Sequence, residues 1–296
     1  MCPVRSFMKK LAVFLFCLSM LGCGGSQVQR GNGLANRREM RNGIESTVGF
    51  YSVSREGIFC TGFFVEKNIV VTAKHCVVDT KTFPAIAEAD KKEEELNLVE
   101  LAYDGTPFQG MKHKHWVKDQ EFINPQTFDM HIIYINNKYG EPGHTANDIA
   151  VLEVRNKKDF SDDHFKIARR TPFVGQRVYS FGMPLGMDWM VFEGSIAHHH
   201  FLEGKNVIGT YMVDIFIAPG CSGGPLVDHN GDVVGVNSAG LFLNFGPESH
   251  LAITMGRDKM VEHVNNAKKK MKANKKAQRR ALWKAQKEAG QPITLF

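Results

Sequence analysis

Short apolar runs rich in β-branched residues recur along the chain, each bounded by glycine, asparagine, aspartate or charge. Examples are Ile69-Val70-Val71-Thr72, Ile149-Ala150-Val151-Leu152, Pro225-Leu226-Val227 and Val233-Val234-Gly235-Val236. Such runs, continuous rather than alternating, predict strands covered on both faces. Asn230-Gly231 between the last two runs predicts a tight hairpin. Leu96–Tyr103 and His131–Ile135 alternate and predict further strands, with Lys91–Glu95 as a charged surface turn. The period changes near the C-terminal end, where Met260, Val264, Ala267 and Met271 recur every three to four residues. Arg257–Ala289 is therefore predicted as one long helix whose apolar stripe fades after its first turns.

Three of the apolar runs carry chemistry at their ends. Ile69–Thr72 leads into Ala73-Lys74-His75-Cys76, so a buried strand delivers an imidazole. Asn147-Asp148 opens the run from Ile149, and Pro219-Gly220-Cys221-Ser222-Gly223-Gly224 places one serine among glycines. A serine hydroxyl is a poor nucleophile at neutral pH, so Ser222 needs a base, a group orienting that base and donors for the oxyanion. The N–H groups of Gly220 and Ser222 are the expected donors. Gly220–Gly224 also fits the G-x-S-x-G elbow, whose partners follow the serine. Here the histidine and aspartate precede it, and no βαβ alternation is visible, so that reading is rejected. Asp79 and Asp104 are alternative orienters, but only Asp148 leads directly into an apolar strand.

In this order the motifs Thr72–Cys76, Asn147–Leu152 and Gly220–Pro225 resemble those of the chymotrypsin-like serine proteases. The resemblance covers roughly residues 45–256. It implies an all-β fold of two six-stranded Greek-key β-barrels with a C-terminal helix. It further implies His75 as general base, Asp148 as its orienter, Ser222 as nucleophile, and an oxyanion hole from Gly220 and Ser222. Val236–Gly240 resembles the strand that pairs with substrate, with Ser238 bonded to the aspartate and Ala239 and Gly240 beside the peptide. Phe181–Gly186, followed by Glu193–Ile196, is similar to the bacterial HtrA/Deg proteases. A PDZ domain would follow in that group, and too few residues remain for one.

The same resemblance joins Cys60 to Cys76 in a disulfide, which HtrA-type relatives generally lack. Cys221 stands where digestive members carry the aspartate of an N-terminal ion pair, so activation by that pair is not expected; as nucleophile it is one position out of place. The family's count of six residues before the serine puts Phe216 at the base of the specificity pocket and predicts small or medium apolar residues before the scissile bond. A glutamyl preference through His250 is the rival. His113 with His115, and the row His198–His200, lack a third partner at ligand spacing. No metal or organic cofactor is expected.

The ends of the chain are addresses of a different kind. Arg5, Lys9 and Lys10 precede the apolar run Leu11–Leu21, too short to span a bilayer and suited to a signal peptide. It closes on Met20-Leu21-Gly22-Cys23, which resembles a bacterial lipobox with Cys23 as the lipidated residue; an ordinary cleaved signal is the alternative. The expected organisation is a signal peptide at 1–22, a flexible tether at 23–44, the protease domain at 45–256 and a basic helical tail at 257–296. Between Arg257 and Ala289 stand twelve Lys or Arg against three acidic residues. The net charge of +6 therefore owes its sign to the tail. That tail reads as a solvated helix packed by its first turns, or as a surface drawn to anionic lipid through its cationic face and Trp283; no nucleic-acid partner is expected. With 296 residues, 43% of them apolar, the chain can bury a normal core. The expectation is an exported, lipid-anchored enzyme of the cell envelope acting on protein or peptide substrates. A protease-like binding protein with an unassembled triad is the alternative.

Overall fold

The computed structural model describes residues 37–52, 57–78, 108–112, 126–136, 147–154, 163–199, 209–240 and 249–288. Its strands close into two six-stranded barrels with antiparallel ladders. The first contains β1 (Thr47–Ser52), β2 (Gly57–Glu66), β3 (Ile69–Thr72), β4 (Phe108–Lys112), β5 (Gln126–Ile135) and β6 (Ala150–Val154), in the order β1-β2-β3-β6-β5-β4. The second contains β7 (Arg177–Gly182), β8 (Met190–His199), β9 (Thr210–Ile217), β10 (Pro225–Val227), β11 (Val233–Gly240) and β12 (Ser249–Gly256), in the order β10-β11-β12-β9-β8-β7.

The continuous apolar runs are explained by where β2, β3 and β6 sit. Phe64, Val70 and Leu152 point into the first barrel with Val48 and Phe50. Their neighbours Phe63, Ile69, Val71 and Val151 point the other way, into a core shared with Phe181, Val227, Val236 and Met255 of the second barrel. Along most of their length neither face of these strands meets water, so alternation would be a liability. Each fully buried phenylalanine contributes about 2–3 kcal/mol from area removed from water. The shared core locks the barrels against each other, which matters because the site residues come from both.

The predicted hairpin is present. Gly231 turns at φ +77° between β10 and β11. Asp228 Oδ1 accepts hydrogen bonds from the N–H groups of Asn230 (2.8 Å) and Asp232 (3.0 Å). The His131–Ile135 strand is part of β5, while Leu96–Tyr103 and Lys91–Glu95 lie outside the described residues.

Two helices complete the described chain. Helix α1 (Arg37–Glu45) occupies the end of the stretch expected as tether, and this corrects the expectation for 37–44. Polar composition concealed its few apolar contacts. Ile44 is buried in the shared core, and Gly43 approaches the Phe181 ring so closely that a Cβ would stand 2.5 Å from it. Arg41 donates to Glu45 one turn on (2.8 Å). Helix α2 (Arg257–Glu288) matches the predicted span within one residue. Met260, Val264 and Ala267 join the shared core; the helix beyond them is largely exposed, with Leu282 and Trp283 about half open.

Candidate active site

β3 ends at Thr72, and the chain turns at once through a short 3₁₀ segment, Lys74–Cys76. The Cys60–Cys76 disulfide (S–S 2.07 Å) ties this turn back to β2, matching the pairing that the family resemblance implied. His75 thus sits on a clamped turn. Asp148, at the entrance to β6, lies beside it because β3 and β6 pair with Thr72 opposite Ala150. Asp148 Oδ2 accepts from His75 Nδ1 at 2.7 Å, and Oδ1 accepts from the His75 main-chain N–H at 3.0 Å. Ser238 Oγ donates to the same Oδ2 at 2.5 Å. A bulge between Asn237 and Ala239 turns Ser238 toward the carboxylate, the re-aiming that bulges commonly perform.

These contacts set the electrostatics. Burial would raise the Asp148 pKa, yet the hydrogen bond and charge of His75, with Ser238 and the His75 N–H, outweigh it and hold the carboxyl below its ordinary value. Burial pushes the His75 imidazole down, but the hydrogen bond and charge of Asp148 win and raise it. The carboxylate is therefore held ionised, aligned with one ring nitrogen. The other edge of the imidazole faces an opening, and 38% of the side chain is exposed.

Ser222 reaches the same place from the second barrel. Its carbonyl accepts from the Thr61 N–H at 2.8 Å, and the same oxygen lies 3.6 Å from Cys76 Sγ, a contact rather than a hydrogen bond because a disulfide sulfur carries no proton. The loop before it is tightly held. Leu185 N–H donates to the Pro219 carbonyl (2.6 Å), Thr61 Oγ1 donates to the Gly220 carbonyl (2.6 Å), and Cys221 N–H donates to Ala218 (3.0 Å). Gly223 and Gly224 N–H donate to Asn237 and Cys221. Among the described residues, the N–H groups of Gly220 and Ser222 donate to no carbonyl within the fold. Gly220 adopts φ +100°, and a Cβ there would stand 2.2 Å from the Met183 carbonyl, so the conformation and the space both require glycine.

The remaining predicted residues are placed as follows. Ala239 and Gly240 pair with Ile253 and Ala252 of β12 through one edge of β11. Phe216 lies on β9 between Ile215 and Ile217, which point into the second barrel; its own ring packs on Phe192 of β8 (centroids 5.0 Å). Cys221 is a free, fully buried thiol, raised in pKa by burial, and that disfavours a thiolate. His75, Cys60 and Cys76 form the one group among the described residues close enough to hold a metal ion, and the two sulfurs are already bonded to each other. His198 and His199 end β8. Cys23, Asp79, Asp104, His113, His115 and His200 lie outside the described residues, as does the side chain of His250.

Thr61 is one site residue that sequence reading missed. Fully buried on β2, it donates through Oγ1 to Gly220 and accepts from Met183 N–H (3.2 Å), so one hydroxyl joins the first barrel to two loops of the second. A threonine within an apolar strand segment was the available signal. Leu185 was missed as well. It holds Pro219 from a left-handed conformation (φ 55°) unusual for a leucine.

Comparison with known proteins bears on the family and the fold. The family described as "Trypsin-like peptidase domain" matches residues 60–236. A probable periplasmic serine endoprotease, DegP-like, of Pseudomonas putida (strain W619) is 34% identical over 103 residues, 34% of this chain and 21% of that protein. Protease Do-like 1, chloroplastic, of Arabidopsis thaliana is 35% identical over 71 residues, 22% of this chain and 16% of that protein. The matched stretch thus spans about a fifth of the length of these curated relatives. The crystal structure of the serine endoprotease from Yersinia pestis is similar in fold, with a TM-score of 0.51 at 17% identity, covering 78% of this chain and 65% of that one.

Proposed function

The chain belongs to the trypsin-like peptidase family, and from that premise we propose that it is a serine endopeptidase working through His75, Asp148 and Ser222. The observation that carries the reading is the His75–Asp148 pair at 2.7 Å beside a serine loop whose two uncommitted N–H groups belong to Gly220 and Ser222. In this mechanism the free imidazole nitrogen takes the Ser222 proton as Oγ attacks the scissile carbonyl. Asp148 keeps the proton of the opposite nitrogen in place and stabilises the imidazolium. The Gly220 and Ser222 N–H groups receive the oxyanion, a contribution of about 3–4 kcal/mol per donor in comparable enzymes. His75 then protonates the leaving amine, and water, deprotonated by the same imidazole, releases the acyl group. The free edge of β11 at Ser238–Gly240 would take the substrate as an added strand.

The apolar side chains near the serine loop support cleavage after small or medium apolar residues. The sequence count puts Phe216 at the pocket base, but its ring lies on the other face of β9 against Phe192, so in this reading the inward-facing Ile217 beside it serves the apolar preference. The test is cleavage of a peptide set with Val, Leu, Glu or Arg before the scissile bond, by wild type and Ser222→Ala. Cleavage after Val or Leu, lost in the variant, is expected. A clear Arg preference overturns the specificity, and undiminished cleavage by the variant overturns the mechanism.

For location, the reading is an exported envelope protein held by lipid on Cys23, with support from the periplasmic naming of the relatives and from the sequence of the first 23 residues. The exposed half of α2 gives a second attachment. Lys272, Lys275, Lys276, Arg279 and Arg280 lie around Trp283, a cationic face suited to anionic lipid. Sedimentation with anionic vesicles at rising salt tests it. Salt-sensitive binding that falls on replacing those five basic residues by glutamine is expected; binding indifferent to both removes the tail from the attachment.

A further inference from the structure

Helix α2 does more than close the second barrel. Its second turn carries His263, only 4% exposed, in a position where packing alone would favour an apolar side chain. His263 Nδ1 lies 3.0 Å from the Tyr134 hydroxyl, and Asn136 Nδ2 faces Nε2 at 3.4 Å. The same Asn136 amide donates to Asn147 Oδ1 at 2.7 Å. With its NH2 group turned to both, Asn136 needs an unprotonated acceptor at His263 Nε2, so the ring proton sits on Nδ1 and points at the Tyr134 oxygen.

Asn136 is connected to both halves of the catalytic pair. Its side chain holds Asn147, the residue before Asp148, and its N–H donates to the carbonyl of Ile149, the residue after it (3.3 Å). Its carbonyl accepts from Lys74 Nζ at 3.2 Å, and Lys74 directly precedes His75. Asn136 and Lys74 are both buried. Ile149 also shares a core cluster with Met260, Val264 and Ala267 of α2. Apolar packing thus fixes how far the helix stands from the strand carrying Asp148, while the polar chain fixes its direction.

Resting on the protease reading of this site, we infer that α2 positions the catalytic pair through His263 and Asn136, which act as positioning residues for Asp148 and His75. The backbone on either side of Asp148 and the turn before His75 converge on one asparagine, and that asparagine is completed by a side chain from the C-terminal helix. Removing the His263 acceptor takes one hydrogen-bond partner from the Asn136 amide in a buried place and loosens its hold on Asn147. The carboxylate then loses alignment with the imidazole, while the substrate edge at Ser238–Gly240 keeps its ladder with β12. The effect therefore falls on kcat and spares KM.

The experiment uses the full mature chain and compares wild type, His263→Leu, His263→Gln, Asn136→Ala and Ser222→Ala. Three quantities are read: kcat and KM on one cleavable peptide, the thermal midpoint, and the downfield proton resonance of the His75–Asp148 hydrogen bond. The resonance needs no turnover, so it reports the pair even if the protease reading fails. His263→Leu and Asn136→Ala are expected to lower kcat by about tenfold to a hundredfold with KM unchanged, and to move the resonance. His263→Gln, whose amide oxygen replaces the Nε2 acceptor, is expected to restore both. Wild-type kcat and an unmoved resonance in His263→Leu overturn the inference and leave the helix a packing element. So does a loss in His263→Gln equal to that in His263→Leu. Full activity in Ser222→Ala overturns the protease reading instead, and the resonance still decides between positioning and packing.

Discussion

Asp148→Asn discriminates most finely among roles for the carboxylate, because its consequence follows from three hydrogen bonds. In the native arrangement Oδ1 accepts from the His75 main-chain N–H, and Oδ2 accepts from His75 Nδ1 and from Ser238 Oγ. Asparagine must place an NH2 group at one of these positions. The main-chain N–H has no alternative state, so the amide oxygen stays there and the NH2 faces the ring. The imidazole answers by moving its proton from Nδ1 to Nε2. That proton then points toward the serine, and the base is lost. Packing and the oxyanion donors are untouched, so folding and KM hold while kcat/KM falls on the order of 10⁴-fold. The residual activity has its own signature. Asp148 raises the His75 pKa above the ordinary 6.5 against the opposing effect of burial. The wild-type acid limb, which rises as His75 loses its proton, is thus centred above 6.5; in the variant burial acts without that opposition, and the limb moves below it. The assay is kcat/KM for a fluorogenic peptide through the neutral pH range. A loss of less than about tenfold, or an acid limb that stays in place, would refute the role given to Asp148.

Further outcomes follow from the serine loop and its supports. Gly220→Ala puts a Cβ 2.2 Å from the Met183 carbonyl at φ +100°, so the loop shifts, kcat falls by about 10²–10³ and the melting temperature falls as well, measured by steady-state kinetics and thermal denaturation. Thr61→Val strips the hydroxyl shared by Gly220 and Met183; unfolding in denaturant should show a loss of about 1–3 kcal/mol, and peptide cleavage should slow along with it. Cys60→Ala with Cys76→Ala releases the turn that carries His75. About 3 kcal/mol of stability goes with it, seen equally when the native protein is unfolded under reductant. Leu185→Gly keeps the N–H that holds Pro219 and relieves the left-handed strain, so activity should persist with stability unchanged or higher in thermal denaturation.

The barrels were legible because β3 and β6 are buried on both faces along most of their length, and such a strand is apolar at most positions. The hairpin at Asn230-Gly231 and the helix from Arg257 were legible because turn chemistry and a 3.6-residue period are local. Other features depend on partners remote in sequence. Thr61 meets Gly220 across 159 positions and Asn136 meets His263 across 127, so no spacing announces either. Helix α1 was hidden because two residues, Gly43 and Ile44, dock a segment whose composition is otherwise that of a linker. Phe216 illustrates a third limit. A strand alternates with period two, so counting back six or five residues from the serine selects opposite faces of β9. The position of Cys60 opposite Cys76 was accessible only through family resemblance, since three cysteines within the protease region allow other pairings.

The central claim is that Ser222 is a nucleophile activated by His75. Intact-mass analysis of the purified mature protein after reaction with a fluorophosphonate probe, beside Ser222→Ala, tests it most directly. One adduct on the wild type, none on the variant and a labelling rate that rises with pH through the His75 titration is the predicted result. No adduct on the folded wild type, or an equal adduct on both proteins, would contradict the account and favour a protease-like binding protein whose triad is not assembled.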